Sequence, residues 1–250
     1  MKPYYRTLIA KEFRNCVEGT IHRITNRNDD YRPFHEALLS GEVLFWSSFE
    51  RSFSTSFGQR VIEEVARLVA LSNGATDASR QKITFIEIDS AQEDAIHDHI
   101  QDLRMGVSTS SWTEILNKIQ SIKLTGLTKK MRIISDLWWQ KDGFDNFISL
   151  KTVKPNIDQT AVAKEDCLHL SLGVPNCNTY FGLPYNPYGE AHEAYAFSPP
   201  MGIFDFHNDP VVLIGQEMWD TIGGAGCYDE LLDIAQEVGI ETRDKISNIK

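Results

Sequence analysis

The four cysteines of this 250-residue chain, Cys16, Cys167, Cys177 and Cys227, form no CxxC pair. A zinc knuckle and a thioredoxin-like site are therefore not suggested, and free thiols in a reducing compartment are expected. Positive charge is also in short supply. Lys plus Arg number 25 against 35 for Asp plus Glu, a formal net charge of −10. That argues against a protein that coats nucleic acid through bulk charge, though not against a local basic groove. No stretch approaches the roughly 20 apolar residues of a membrane span. The segment Met1-Lys2-Pro3-Tyr4-Tyr5-Arg6 lacks the apolar core of a signal peptide, so a cytoplasmic, non-exported protein is expected. Gly223-Gly224-Ala225-Gly226 is glycine-rich but has no GxxxxGK[ST] pattern, and no GxSxG elbow occurs. His97 and His99, two residues apart on a helical pattern, diverge and cannot share a metal.

With 42% apolar and 24% charged residues and a mean hydropathy of −0.30, the composition is that of an ordinary globular protein. No repeat or long Gly/Ser/Pro linker divides it, so a single domain over residues 1–250 is expected. Residues 1–50 read as a polar helical part. Ser54-Thr55-Ser56 offers capping hydroxyls before a helical pattern from Phe57 to Leu71. Residues 73–80 read as a break, Ile83–Ile88 as a strand, 90–104 and Trp112–Ile122 as helices. Met131–Trp139 and Phe147–Val153 read as two strands of a hairpin joined at Asp142-Gly143. After Pro155-Asn156 a helix is expected over Ile157–Leu172, then short strands at Thr179–Leu183 and Val211–Ile214. A last helix over Asp229–Val238 is stopped by Gly239. This order predicts an α/β fold with a central mixed β-sheet flanked by helices.

The hairpin carries the candidate chemistry. With a two-residue turn Asp136 faces Ser149; with the loop centred one residue later it faces Lys151. In both registers Asp136, Ser149 and Lys151 share a face, because strand periodicity is two. On the following helix Ile157, Ala161, Leu168 and Leu172 mark an inward stripe, and Glu165 falls on that line. An inward carboxylate is costly unless paired or bound to a metal. Two carboxylates with a lysine suit Mg²⁺-dependent phosphodiester hydrolysis: hard oxygens hold the ion, and the lysine orients water or stabilises developing negative charge. Singly, each residue reads better as a satisfied structural charge; together, at hairpin-then-helix spacing, the catalytic and structural readings weigh equally. Glu64 flanks the apolar face Phe57, Val61, Val65 and Leu68 of the upstream helix, while Glu63 points more nearly away. Either can supply a supporting ligand, and Glu64 is the better placed.

The run Asp136-Leu137-Trp138-Trp139 with Ser149-Leu150-Lys151-Thr152-Val153-Lys154-Pro155-Asn156 resembles the active-site region of TdeIII-like type II restriction endonucleases of the PD-(D/E)XK nuclease superfamily. Asn178-Thr179-Tyr180-Phe181, Tyr185-Asn186-Pro187-Tyr188-Gly189, Leu213-Ile214-Gly215 and Ser54-Thr55-Ser56-Phe57-Gly58-Gln59 extend the likeness over most of residues 45–240. The resemblance implies a restriction-endonuclease-like core over 57–240. It also implies a homodimer in a prokaryotic cytoplasm that uses Mg²⁺ to cut double-stranded DNA at a short palindrome, of GGNCC type. Asp136, Glu165 and Glu64 or Glu63 would hold the metal and Lys151 would position water. Lys154, Asn156, Tyr185 and Asn186 are candidate DNA contacts, although Tyr185–Gly189 reads equally well as a rigid turn. One departure matters. The superfamily usually has Asp or Glu two residues before the lysine, where this chain has Ser149. Either activity is lost and the chain only binds DNA, or the carboxylate comes from the next helix, where Glu165 lies fourteen residues after Lys151. A third reading is a repair-type nuclease without a fixed sequence.

Overall fold

The computed structural model describes residues 1–26, 31–109, 111–198 and 202–249. Three helices open the chain, α1 (Pro3–Thr25), α2 (Pro33–Leu38) and α3 (Gly41–Ser56). The hydroxyls of Ser54 and Ser56 do not cap a new helix, as their sequence suggests. Ser56 is itself helical, and α3 runs through a π-helical turn, Phe57–Val61, into α4 (Ile62–Ser72). Ser56 Oγ instead accepts from Arg23 at 2.6 Å, and Ser54 Oγ donates to Glu50. The break after α4 is shorter than expected. Gly74, with φ of 87°, turns the chain, and β1 (Asp77–Asp89) starts early because it pairs along nearly all of β2 (Thr128–Lys141).

Between them lie α5 (Ser90–Arg104) and α6 (Trp112–Gln120), each opened by a side-chain cap, Asp89 and Ser111. Asp142 and Gly143 both have positive φ, 53° and 82°, as a two-residue type I′ turn requires. The turn sets Leu137 opposite Ile148 and Trp138 opposite Phe147 of β3 (Phe144–Leu150), so Asp136 comes level with Ser149. Helix α7 (Ile157–Gly173), started by an Asn156–Gln159 capping box, crosses back so that β4 (Cys177–Leu183) lies parallel to β3. A 3₁₀ turn at His192–Ala194 precedes β5 (Val212–Ile214), parallel to β4. The result is a five-stranded mixed sheet in the order β1-β2-β3-β4-β5. Helices α8 (Gln216–Gly223) and α9 (Cys227–Ser247) complete the chain. Gly239 does not stop α9. A glycine inside a helix costs about 1 kcal/mol, and the helix continues because Val238 and Thr242 are buried and Glu241 and Lys245 pair with Arg14 and Glu18 of α1.

Each face of the sheet carries its own core. Trp138, Phe147, Phe181 and Leu183 pack with α5, α6 and α7, whereas Leu137, Trp139 and Ile148 pack with α1, α4, α8 and α9. Strand alternation would keep even-numbered residues of β1 on one face. Yet Ala78 belongs to the second core and Ile86 and Ile88 to the first. The exchange occurs at Gln81, whose φ of 49° turns the strand over. Directly across from it on β2, the same exchange separates Ile133 from Leu137 and Trp139. The candidate site lies at this crossover. Among the described residues no helix is long and apolar enough to cross a membrane.

Candidate active site

Asp136 is the meeting point. Its Oδ2 accepts from the backbone N–H of Leu150 at 2.7 Å, from Lys151 Nζ at 3.1 Å and from Ser149 Oγ at 3.4 Å. Its Oδ1 accepts from Gln81 Nε2 at 3.3 Å, and the same nitrogen donates to Glu63 Oε1 at 3.0 Å. Lys151 lies just past the end of β3, and its own N–H donates to Gly182 O on β4 at 3.0 Å. One hairpin, one parallel neighbour and one helix thus hold Asp136, Lys151 and Glu63 in place. Asp136 and Lys151 side chains are about a fifth exposed, at 22% and 21%, so the pair is sheltered but reachable. Burial pushes the Glu63 carboxyl above its usual range; the Gln81 bond pulls it back, and the Asp136 charge raises it further.

Glu64 is elsewhere. It pairs with Arg67 at 2.6 Å and Arg80 at 3.1 Å rather than with Gln81 or Asp136. The buried arc around α4 holds the expected Val61, Val65 and Leu68 and extends further, through Ile62, Ala66 and Val69 to Ala70. At about 100° per residue, Glu64 borders that arc beside Leu68, and Glu63 borders its other edge beside Ala70, the edge that meets Gln81.

On α7, Glu165 and Asp166 are both half-buried. The inward charged side chain is Lys164, fully buried, donating to Ile203 O at 2.7 Å and brought down to about 8 by desolvation. Asp166, which the stripe did not single out, is pushed up to about 6. Burial is the main cause, and the adjacent Glu165 charge and Asp136 add to it while Lys151 opposes. The electrostatic neighbours of Asp166 are thus the same Asp136 and Lys151. Only the position beside Glu165 could have drawn attention to Asp166 in the sequence. Gln81 was missed altogether, because no residue pattern announces a left-handed residue inside a strand.

The candidate DNA contacts are partly engaged in structure. Asn156 Oδ1 accepts from Gln159 N, and Asn186 is occupied within its loop by Tyr188 N and Ala191 O. Lys154 Nζ sits 5.5 Å from the Tyr188 ring, and Tyr185 is exposed. At the start of β2, Lys129 pairs with Glu93 and Asp94, and Lys130 with Glu87.

Among the described residues no three His, Cys, Asp or Glu side chains stand together as a metal-holding group. Glu63 and Asp136 are nonetheless two carboxylates that converge on one atom. That donor set fits Mg²⁺, which keeps several waters and takes only one or two protein carboxylates beside substrate phosphates. Chemically, the arrangement offers anionic oxygens and a cationic lysine at one solvent-reachable point, as phosphodiester hydrolysis needs.

The comparisons agree with this chemistry. The type II restriction enzyme HgiEI of Herpetosiphon aurantiacus is 33% identical over 251 residues, covering 97% of this chain and 89% of that enzyme. HgiCII from the same organism is 32% identical over 248 residues, covering 95% and 87%. HgiBI is 34% identical over 230 residues, covering 89% and 82%. The family described as "Type II restriction endonuclease, HinfI" matches residues 1–239, so the whole of the hairpin site lies within the match. With α/β fold, carboxylate-and-lysine cluster and near full-length similarity together, the chain belongs to the HinfI family of type II restriction endonucleases.

Proposed function

We propose that this endonuclease hydrolyses double-stranded DNA at a short palindromic site, in a Mg²⁺-dependent reaction centred on Asp136, Lys151 and Glu63. The carrying observation is that Gln81, Ser149, Leu150 and Lys151 all donate to the one carboxylate of Asp136, with Glu63 on the far side of Gln81. Asp136 and Glu63 hold the ion, which supplies a Lewis acid to offset charge building on the phosphate. Lys151 Nζ, held beside Asp136, orients the attacking water or neutralises the developing anion. Ser149 stands where PD-(D/E)XK nucleases usually carry an acid, and its hydroxyl bonds Asp136 instead. Glu165 and Asp166 are the α7 carboxylates that would take over the missing acid's role. Glu64 serves the site by fixing Arg80. Lys154, Asn156, Tyr185 and Asn186 line the approach to the DNA backbone. A palindromic target implies a homodimer, one active site per strand. The nuclease core is taken as residues 57–240 with 1–50 as a helical extension, working in the cytoplasm. A GGNCC-type target is the finer expectation, resting on the TdeIII-like resemblance alone.

The test is incubation with phage-length duplex DNA in Mg²⁺, in EDTA, and with Lys151→Ala. Discrete fragments that need Mg²⁺ and fall by at least about 100-fold in the variant are expected; sequencing their ends gives the site. A smear with the same dependence would replace this reading by a nuclease without a fixed sequence. DNA binding without cleavage on several DNAs would make Ser149 the mark of a lost site.

A further inference from the structure

Gln81 combines two features that ordinary strand structure does not explain. Among the described residues, the non-glycine positions with positive φ are Gln81, Asp142 and Asn176. Asp142 forms the hairpin turn and Asn176 precedes β4, whereas Gln81 sits in the middle of β1. L-residues with a Cβ rarely adopt this conformation, and where they do it clusters at functional sites. Burial does not enforce it, since Gln81 is exposed. What the turned backbone achieves is to place Nε2 between Glu63 Oε1 and Asp136 Oδ1.

The choice of residue is informative. Arg80 and Lys82 flank Gln81, and both face away: Arg80 to Glu64 and the Arg60 carbonyl, Lys82 to the Trp138 ring at 4.0 Å. A cation in the place of Gln81, added to the Lys151 ammonium already on Asp136, would leave the two carboxylates no net negative charge to offer a metal. A neutral amide bridges them and leaves their charge in place. It also has two ends, N–H donors and a carbonyl oxygen that is a hard ligand for Mg²⁺ or Mn²⁺.

We infer that Gln81 is a third oxygen donor of the cation site formed by Glu63 and Asp136. Without a cation its amide N–H ties the two carboxylates together; with one, its carbonyl oxygen turns to the ion. This rests on the cation reading given above for the same two carboxylates. The left-handed backbone is what keeps the amide within reach in both states.

The experiment titrates Mn²⁺ into the DNA-free protein, read by calorimetry and by the Mn²⁺ electron paramagnetic resonance signal, with thermal unfolding in EDTA as a folding control. Gln81→Gly suits the positive φ and should unfold cooperatively, yet bind Mn²⁺ about 10- to 100-fold more weakly. Gln81→Glu keeps an oxygen at the same reach and should bind at least as tightly as the unaltered enzyme. Asp136→Ala should lose the binding. If Gln81→Gly binds Mn²⁺ like the unaltered enzyme while Asp136→Ala does not, Gln81 is no ligand and the cation site stands without it. If Gln81→Gly weakens binding and Gln81→Glu fails to restore it, Gln81 is a structural bridge only. Unchanged binding in Asp136→Ala overturns the cation reading itself, and this inference with it.

Discussion

Asp166, an electrostatic neighbour of Asp136 and Lys151, shows how a single carboxylate can act against stability. Its folded-state pKa, raised from 3.8 to about 6, means the fold prefers the protonated form. That preference stabilises the protein fully below the unfolded pKa and is lost as pH rises through about 6. Asp166→Asn is therefore expected to gain about 1–2 kcal/mol at pH 8, after allowance for partial exposure, and much less at pH 4. Urea unfolding at the two pH values measures it; an equal gain at both would locate the effect in packing instead. At this scale the sequence was legible only where spacing decides. Asp136, Ser149 and Lys151 follow from strand alternation and a two-residue turn. Glu63 against Glu64 depended on which edge of the buried arc of α4 meets Gln81, which the packing of α4 against β1 decides. Gln81 depended on one backbone torsion, which side-chain pattern does not encode.

Helices and strands couple to the site through two glycines. A Cβ on Gly182 would stand 2.5 Å from Ile148 Cδ1 and 2.9 Å from Met218 Sδ, so β3 and α8 close on β4 only because that side chain is missing. Gly182→Ala should cost about 1–3 kcal/mol by overpacking. It should also lower cleavage beyond the loss of folded protein, because Gly182 O anchors the Lys151 N–H. Cleavage rate per folded molecule, read beside thermal unfolding, separates the two effects; an unchanged rate would show that β4 does not set the lysine. At the hairpin, Gly143 meets nothing within 4 Å, so only its φ of 82° matters. Gly143→Val should cost about 1–2 kcal/mol in a denaturant midpoint, while Asp142→Gly should not destabilise the turn by that amount. Turn chemistry of this kind was readable beforehand, as was α7 from its Pro155-Asn156 start. The extent of β1 was not, because its first residues are strand only through pairing with β2. Nor was the passage of α9 through Gly239, which ion pairs to a helix more than 200 residues earlier in the chain sustain.

Across the whole molecule, buried histidine sets a limit on acid tolerance. His169 is 2% exposed, its Nε2 has no partner among the described residues, and desolvation holds its pKa down at about 4. The unfolded chain takes up the proton near pH 6.5 and the folded one does not, so stability falls as pH drops from about 6.5 toward about 4. At pH 5 this amounts to about 2 kcal/mol relative to neutral pH. His169→Leu should flatten the stability–pH curve over that window; a curve parallel to that of the unaltered protein would place the acid sensitivity elsewhere. The fold class and sheet-centred layering were legible from element order, but the union of first and last helices was not, because no local signal marks a pairing across the chain. Helices α1 and α9 run side by side in the same direction, tied by Arg6 to Glu237, Arg14 to Glu241 and Glu18 to Lys245. The helix bearing Glu63 leans on α1 on one side and on α8, itself packed on α9, on the other. On the ribosome, synthesis at about 5–20 residues per second leaves α1 waiting at least ten seconds for its partner. A nascent chain of this nuclease thus lacks full support for the helix that carries Glu63 until α9 has emerged.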